Sequence, residues 1–102
     1  MNYYDQLNKV IDEIEMKLTE EINYKDLAKI VGTSSYTLQR IFAFLTGITL
    51  TEYIRKRRLS KAGEELLSTN IKIIDLAIKY QYDSPISFSN SFKKMHGISP
   101  QT

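Results

Sequence analysis

The chain has 102 residues, 42% hydrophobic and 25% charged, which fits one folded domain and leaves little room for several. No cysteine and a single histidine, His96, exclude disulfide frameworks, thiolate metal sites, Cys nucleophiles and His-pair metal centres. The net charge of +2 is uneven: residues 1–34 carry a net −3 and residues 35–102 a net +5, which fits either a polyanion partner for the later part or an ordinary solvated surface.

Leu7, Val10, Ile11, Ile14 and Leu18 step by three and four, which predicts a first helix over about Tyr4–Leu18. Asn23 ahead of Tyr24-Lys25-Asp26 is a cap with an acid in the first turn. The short second helix carries Leu27, Ala28, Ile30 and Val31, and Gly32 stops it. Ser34 or Ser35 caps a third helix with Leu38, Ile41, Phe42 and Leu45 inward and Gly47 at its end. Thr49-Leu50-Thr51-Glu52 is a capping box that opens a fourth helix running to about Leu67, with Tyr53, Ile54, Ala62 and Leu66 as its apolar stripe. Ile73, Leu76, Ala77 and Tyr80 mark a short fifth helix. Ser84-Pro85 pairs a cap with a proline at the first helical position, opening a sixth helix with Phe88, Phe92 and Met95 that Gly97 closes. No strand-like alternation competes, so the expected fold is all-α. No apolar run approaches the ~20 residues of a spanning helix. No secretory signal is visible, so the default location is cytoplasmic.

The chain repeats itself. Leu27-Ala28 corresponds to Leu76-Ala77 at an offset of 49, and Leu38, Phe42, Gly47 and Ile48 correspond to Phe88, Phe92, Gly97 and Ile98 at an offset of 50. Each unit is a short helix, a tight turn and a longer helix, with one extra residue in the second turn. Ala28 with Gly32 is the small-residue and turn pattern of a helix-turn-helix. In the second copy Gln81 stands at the position of Gly32, so it must tolerate an unusual backbone conformation or use the longer turn to avoid one.

Residues 24–100 resemble the DNA-binding domain of the AraC/XylS family of transcription regulators, and the first unit looks close to its MarA/SoxS/Rob-like branch. Leu27-Ala28-Lys29-Ile30-Val31-Gly32, Leu38-Gln39-Arg40-Ile41-Phe42, Gly47-Ile48-Thr49 with Tyr53-Ile54-Arg55, and Leu66-Leu67-Ser68-Thr69 carry the resemblance. Its most specific stretch is Ser84, Phe88-Ser89, Phe92-Lys93-Lys94 and Gly97-Ile98-Ser99-Pro100. There are three departures: Gln81-Tyr82 for the family's Gly-Phe, Ser87 for Tyr, and Asn90 for Arg.

The resemblance implies two helix-turn-helix subdomains joined by a long linker helix, about six to seven helices in all. One DNA-binding region, 1–102, would divide into a first subdomain with the N-terminal helix (4–48), a linker helix (49–67) and a second subdomain (70–102). It also implies sequence-specific binding of double-stranded promoter DNA, with two recognition helices in successive major grooves and RNA polymerase as a possible further partner. Any small-molecule effector would act through a domain absent from this chain. The chain ends Ser99-Pro100-Gln101-Thr102 inside a motif that the family continues, which suggests the N-terminal part of a longer protein; a small standalone activator is the alternative.

Base contacts are expected from Tyr36, Thr37, Gln39 and Arg40 on the third helix and from Ile86, Ser87 and Asn90 on the sixth. Arg bonds guanine bidentately, Gln bonds adenine, and apolar groups contact thymine methyls. Ile86 could equally belong to the core, and Arg40 could sit in a salt bridge. Phosphate contacts are expected from Ser35, Arg55, Ser84, Lys93 and Lys94. Because the sixth helix has lost the family's arginine, the first unit is expected to carry most discrimination and the second to position the protein. His96 is expected to cap the sixth helix or face solvent. No catalytic set, cofactor or metal is expected, so the reading is not an enzyme. The rival reading is a helical protein–protein interaction module without DNA binding.

Overall fold

A computed structural model describes residues 2–101; Met1 and Thr102, the two ends of the expected 1–102 region, lie outside the described residues. Among the described residues there are six helices and no strand: α1 (Tyr3–Met16), α2 (Tyr24–Ile30), α3 (Ser35–Thr46), α4 (Leu50–Ser68), α5 (Ile73–Lys79) and α6 (Pro85–His96). No helix is long and apolar enough to cross a membrane. The chain forms two compact units, Met1–Ile54 and Arg55–Thr102, and α4 runs from the first into the second.

Caps set the helix starts, because the first backbone N–H groups of a helix have no intrahelical partner. Asn2 Oδ1 accepts from Asp5 N at 2.9 Å, and Asn23 Oδ1 accepts from Lys25 N at 2.8 Å. Ser34, rather than Ser35, caps α3 by accepting from Thr37 N at 3.1 Å. Thr49 Oγ1 accepts from Glu52 N at 3.1 Å, and Ser84 Oγ from Ser87 N at 3.1 Å with Pro85 just inside. Only α5 starts without a side-chain cap: Lys72 stands there and makes no capping bond. Gly47 and Gly97 end α3 and α6 in the left-handed region.

In the first unit, Leu7, Val10 and Ile14 of α1 share a core with Leu27, Ala28, Leu38, Phe42, Leu50 and Ile54. Phe42 meets Tyr53 edge-on at 5.4 Å. In the second unit the core is Leu59, Ala62, Leu76, Ala77, Tyr80, Phe88 and Phe92, and Phe88 stands between Tyr82 and Phe92. The small residues Ala28 and Ala77 are buried, each in its own unit. Large side chains at these two positions would push the helices apart.

The two turns follow one plan. Thr33 N donates to Ala28 O at 3.1 Å, and Tyr82 N donates to Ala77 O at 2.9 Å. Gly32 has φ 68°, and Gln81 has φ 70°. Gln81 therefore takes the unusual conformation instead of avoiding it, at a cost of roughly 1 kcal/mol for an L-residue with a Cβ. The extra residue of the second turn, Asp83, falls after that point.

Some sequence expectations shift. α1 ends at Met16 rather than Leu18, and Lys17 closes it with a bond to Ile14 O. Met95 does not join the interior of α6 but is exposed. The buried stripe of α6 is Phe88 and Phe92, and the His96 ring lies 4.2 Å from the Phe92 ring. Of the two expectations for His96, the solvent-facing one holds, and its Nε2 also lies 3.0 Å from the Leu59 carbonyl of α4. On α4, Leu50 and Leu59 are buried although neither was in the expected stripe, while Tyr53 and Leu66 are only half-buried. Ile30 of α2 is also partly exposed.

Candidate nucleic-acid interface

α3 presents Tyr36 and Arg40 to solvent, with Ser35, Thr37 and Gln39 half-buried beside them. The Ser34 cap fixes the start of the helix. The Ser34 hydroxyl also donates to Thr37 Oγ1 at 3.0 Å, so Thr37 is held by the cap as well as offered to a ligand. Tyr36 and Arg40 are one turn apart on the same face, and the Arg40 guanidinium lies 5.6 Å from the centroid of the Tyr36 ring. Among the described residues the neighbour of the Arg40 guanidinium is this ring and not an acid.

Gln39 and Arg40 do not line one cleft. Gln39 and Ser35 face a shallow cleft with Asn23, Tyr24 and Lys25 of the α2 start. Thr37 and Arg40 face a different groove, with Tyr3, Ile41, Phe44 and Leu45. Adjacent helical residues point about 100° apart, so one α3 surface serves two flanks with Tyr36 between them. Ile41 and Leu45, expected inward, form the apolar edge of the second groove.

On α6, Ile86, Ser87 and Asn90 are all exposed, as are Lys93 and Lys94 in its last turn. Ile86 is 74% exposed, so it is a surface residue and not part of the core. The Ser84 hydroxyl is committed to the cap of α6. Lys93 and Lys94 sit near the negative end of the helix dipole, not at the N-terminus where an anion gains most. Arg55 is half-buried on α4.

Sequence reasoning passed over Lys25 and Lys29. They lie exposed on α2, and Lys25 shares the Gln39 cleft. At the offset of 49 their counterparts on α5 are Ile74 and Ile78, which are 53% and 65% exposed. The repeat itself carries that signal: the same surface positions are basic in one unit and apolar in the other. Phe44, 86% exposed near the end of α3, was also passed over; it lies within the apolar run Ile41–Leu45.

Two anchors hold α5 to α4 in the second unit. Glu65 accepts from the Tyr80 hydroxyl at 2.5 Å and pairs with Lys79 at 2.6 Å. Burial alone would raise the Glu65 carboxyl, but the bonds from Lys79 and Tyr80 outweigh it and hold the group below its ordinary value. Burial, with Glu65 beside it, pushes the Tyr80 phenol up. The Tyr82 hydroxyl is buried and has no partner among the described residues.

A family model described as a helix-turn-helix domain matches residues 27–102. The chain is 43% identical over 94 residues to the HTH-type transcriptional activator AarP of Providencia stuartii, covering 92% of this chain and 70% of that protein. It is 38% identical over 100 residues, or 98% of its length, to the regulator YbfP of Bacillus subtilis, but spans only 34% of that protein. Among solved structures, an AraC-type transcriptional regulator from Chromobacterium violaceum has a TM-score of 0.89 at 24% identity, over 96% of this chain and 88% of that one. The DNA-binding domain of the global transcriptional factor AdpA, solved in complex with a target DNA, has a TM-score of 0.82 at 25% identity, over 94% and 86%.

Proposed function

The chain belongs to the AraC family of helix-turn-helix transcription regulators, and from that membership we propose that it binds promoter sites on double-stranded DNA, with α3 and α6 each entering a major groove. Membership decides against a partner-docking module without DNA binding. The observation that carries the proposal is the duplicated, cap-anchored long helix with an exposed polar face: Tyr36, Gln39 and Arg40 on α3, and Ser87 and Asn90 on α6.

In this reading Tyr36, Thr37, Gln39 and Arg40 meet base edges, and Ile86, Ser87 and Asn90 make the weaker set. Ser35, Arg55, Ser84, Lys93 and Lys94 meet the phosphates, joined by Lys25 and Lys29. The activity is binding in the cytoplasm, not catalysis. The likeness to AarP, named an activator, supports recruitment of RNA polymerase at the same promoter. Any small-molecule effector acts through a further domain.

The test is a titration of labelled duplex at increasing salt. Affinity should fall steeply, with a log–log slope of ~0.9 per phosphate neutralised. A folded chain that ignores duplex DNA at low salt sinks the proposal.

A further inference from the structure

We infer that Tyr36 is a positioning residue for Arg40: the ring holds the guanidinium in place, and the pair reads a guanine. The inference rests on the DNA-binding reading above. Three observations support it.

The first is geometry. Tyr36 and Arg40 are four residues apart on α3, and the guanidinium sits 5.6 Å from the ring centroid with both side chains exposed. The second is chemistry. A guanidinium stacks through its flat face and hydrogen-bonds through its edge. An arginine resting on a ring therefore keeps its N–H donors free, and the O6/N7 edge of guanine needs two of them side by side. An unsupported arginine has several rotatable bonds, and fixing them on the base costs affinity. The Tyr36 ring, 5.6 Å away, restricts those bonds beforehand.

The third observation comes from the repeat. At the offset of 50, Tyr36 corresponds to Ile86 and Arg40 to Asn90. The second unit lacks both halves of the pair, not the arginine alone. Ile86 is 74% exposed, so no demand of the core put an aliphatic residue there. The aromatic residue is present where the arginine is present and absent where it is absent.

The experiment uses a duplex recovered by the wild-type chain from a random-sequence pool, together with the same duplex carrying adenine or 7-deazaguanine at the contacted guanine. Tyr36→Phe keeps the ring and should bind within about two-fold of wild type. Tyr36→Leu should lower the preference for guanine over adenine by about five-fold, the scale of one cation–π contact. In an Arg40→Ala background Tyr36→Leu should no longer change the preference for guanine over adenine at that position. Tyr36 is exposed, so Tyr36→Leu should melt at the wild-type temperature. In the free protein, the Arg40 side-chain protons should shift upfield in the NMR spectrum over the Tyr36 ring and lose that shift in Tyr36→Leu.

Additive effects of Tyr36→Leu and Arg40→Ala on the preference for guanine would overturn the inference while leaving DNA binding intact. So would a Tyr36→Leu loss that is equal on all duplexes. A Tyr36→Phe loss as large as that of Tyr36→Leu would assign the effect to the hydroxyl and overturn it too. Failure of the wild-type chain to recover any duplex would overturn the DNA-binding reading and this inference with it.

Discussion

Where Gly32 turns α2 into α3 at φ 68°, Gln81 turns α5 into α6 at φ 70°; where Tyr36 and Arg40 meet on α3, Ile86 and Asn90 occupy α6. The backbone bonds of the two turns, Thr33 N to Ala28 O and Tyr82 N to Ala77 O, are the same bonds. The frame has thus kept its geometry through a glycine-to-glutamine difference, while the exposed faces have diverged. The turn is set by buried residues on both sides, which impose one path on the chain and override a local preference worth about 1 kcal/mol. Nothing imposes a particular side chain on the solvent face, so that face is free to follow its ligand.

The largest effect expected is in the frame. Phe42→Ala and Phe92→Ala should each cost ~3–5 kcal/mol in denaturant unfolding, because each ring is buried in its own unit. Hydrogen exchange should show Phe42→Ala releasing α2 and α3 before α5 and α6, and Phe92→Ala the reverse. Equal loosening of both units by either change would mean that the frames are not separate.

The recognition faces come next. Arg40→Ala should cost ~1–3 kcal/mol on a selected duplex and relax base preference at one position. Asn90→Ala should cost less and leave preference nearly unchanged. If Asn90→Ala proves the more damaging to specificity, the assignment of unequal roles to α3 and α6 is wrong.

Two changes in the second turn should increase stability. Tyr82→Phe removes a buried hydroxyl without a partner among the described residues and should stabilise by ~1 kcal/mol. Gln81→Gly removes a Cβ from a left-handed position and should stabilise by up to ~1 kcal/mol, reduced by the larger freedom of glycine in the unfolded chain. A thermal melt reads both. Gly32→Ala, in the first unit, should go the opposite way.

Acid should separate the units by the smallest margin. The Glu65 carboxyl titrates lower in the folded chain than in the unfolded one. Its contribution is complete above the ordinary carboxylate range and is lost as pH falls through the lowered value. Below about pH 4, protection against exchange, relative to the unfolded chain at the same pH, should therefore fall first at α5, which Glu65 ties to α4 through Tyr80 and Lys79. Glu65→Gln should abolish that pH dependence.

The sequence by itself determined the six helices, most of their ends, the repeat and the family. Caps made by Asn23, Ser34, Thr49 and Ser84 bond to groups only two or three residues away, so they can be read from neighbours alone. The periodic Leu, Phe and Ala positions 27, 28, 38, 42, 76, 77, 88 and 92 can be read the same way, since one buried face per helix suffices. Tertiary structure decided what depends on distant partners. It left Met95 outside the buried stripe of α6, which is Phe88 and Phe92, and set the His96 ring against the Leu59 carbonyl 37 residues away. It held Gln81 at a positive φ, orphaned the Tyr82 hydroxyl and placed Gln39 and Arg40 in separate clefts. The Tyr36–Arg40 contact is the intermediate case: the spacing of four permits it, but the rotamers that close it depend on what surrounds both side chains. Local hydrogen bonds and periodicity are properties of neighbouring residues, whereas burial and side-chain direction are properties of everything packed around them.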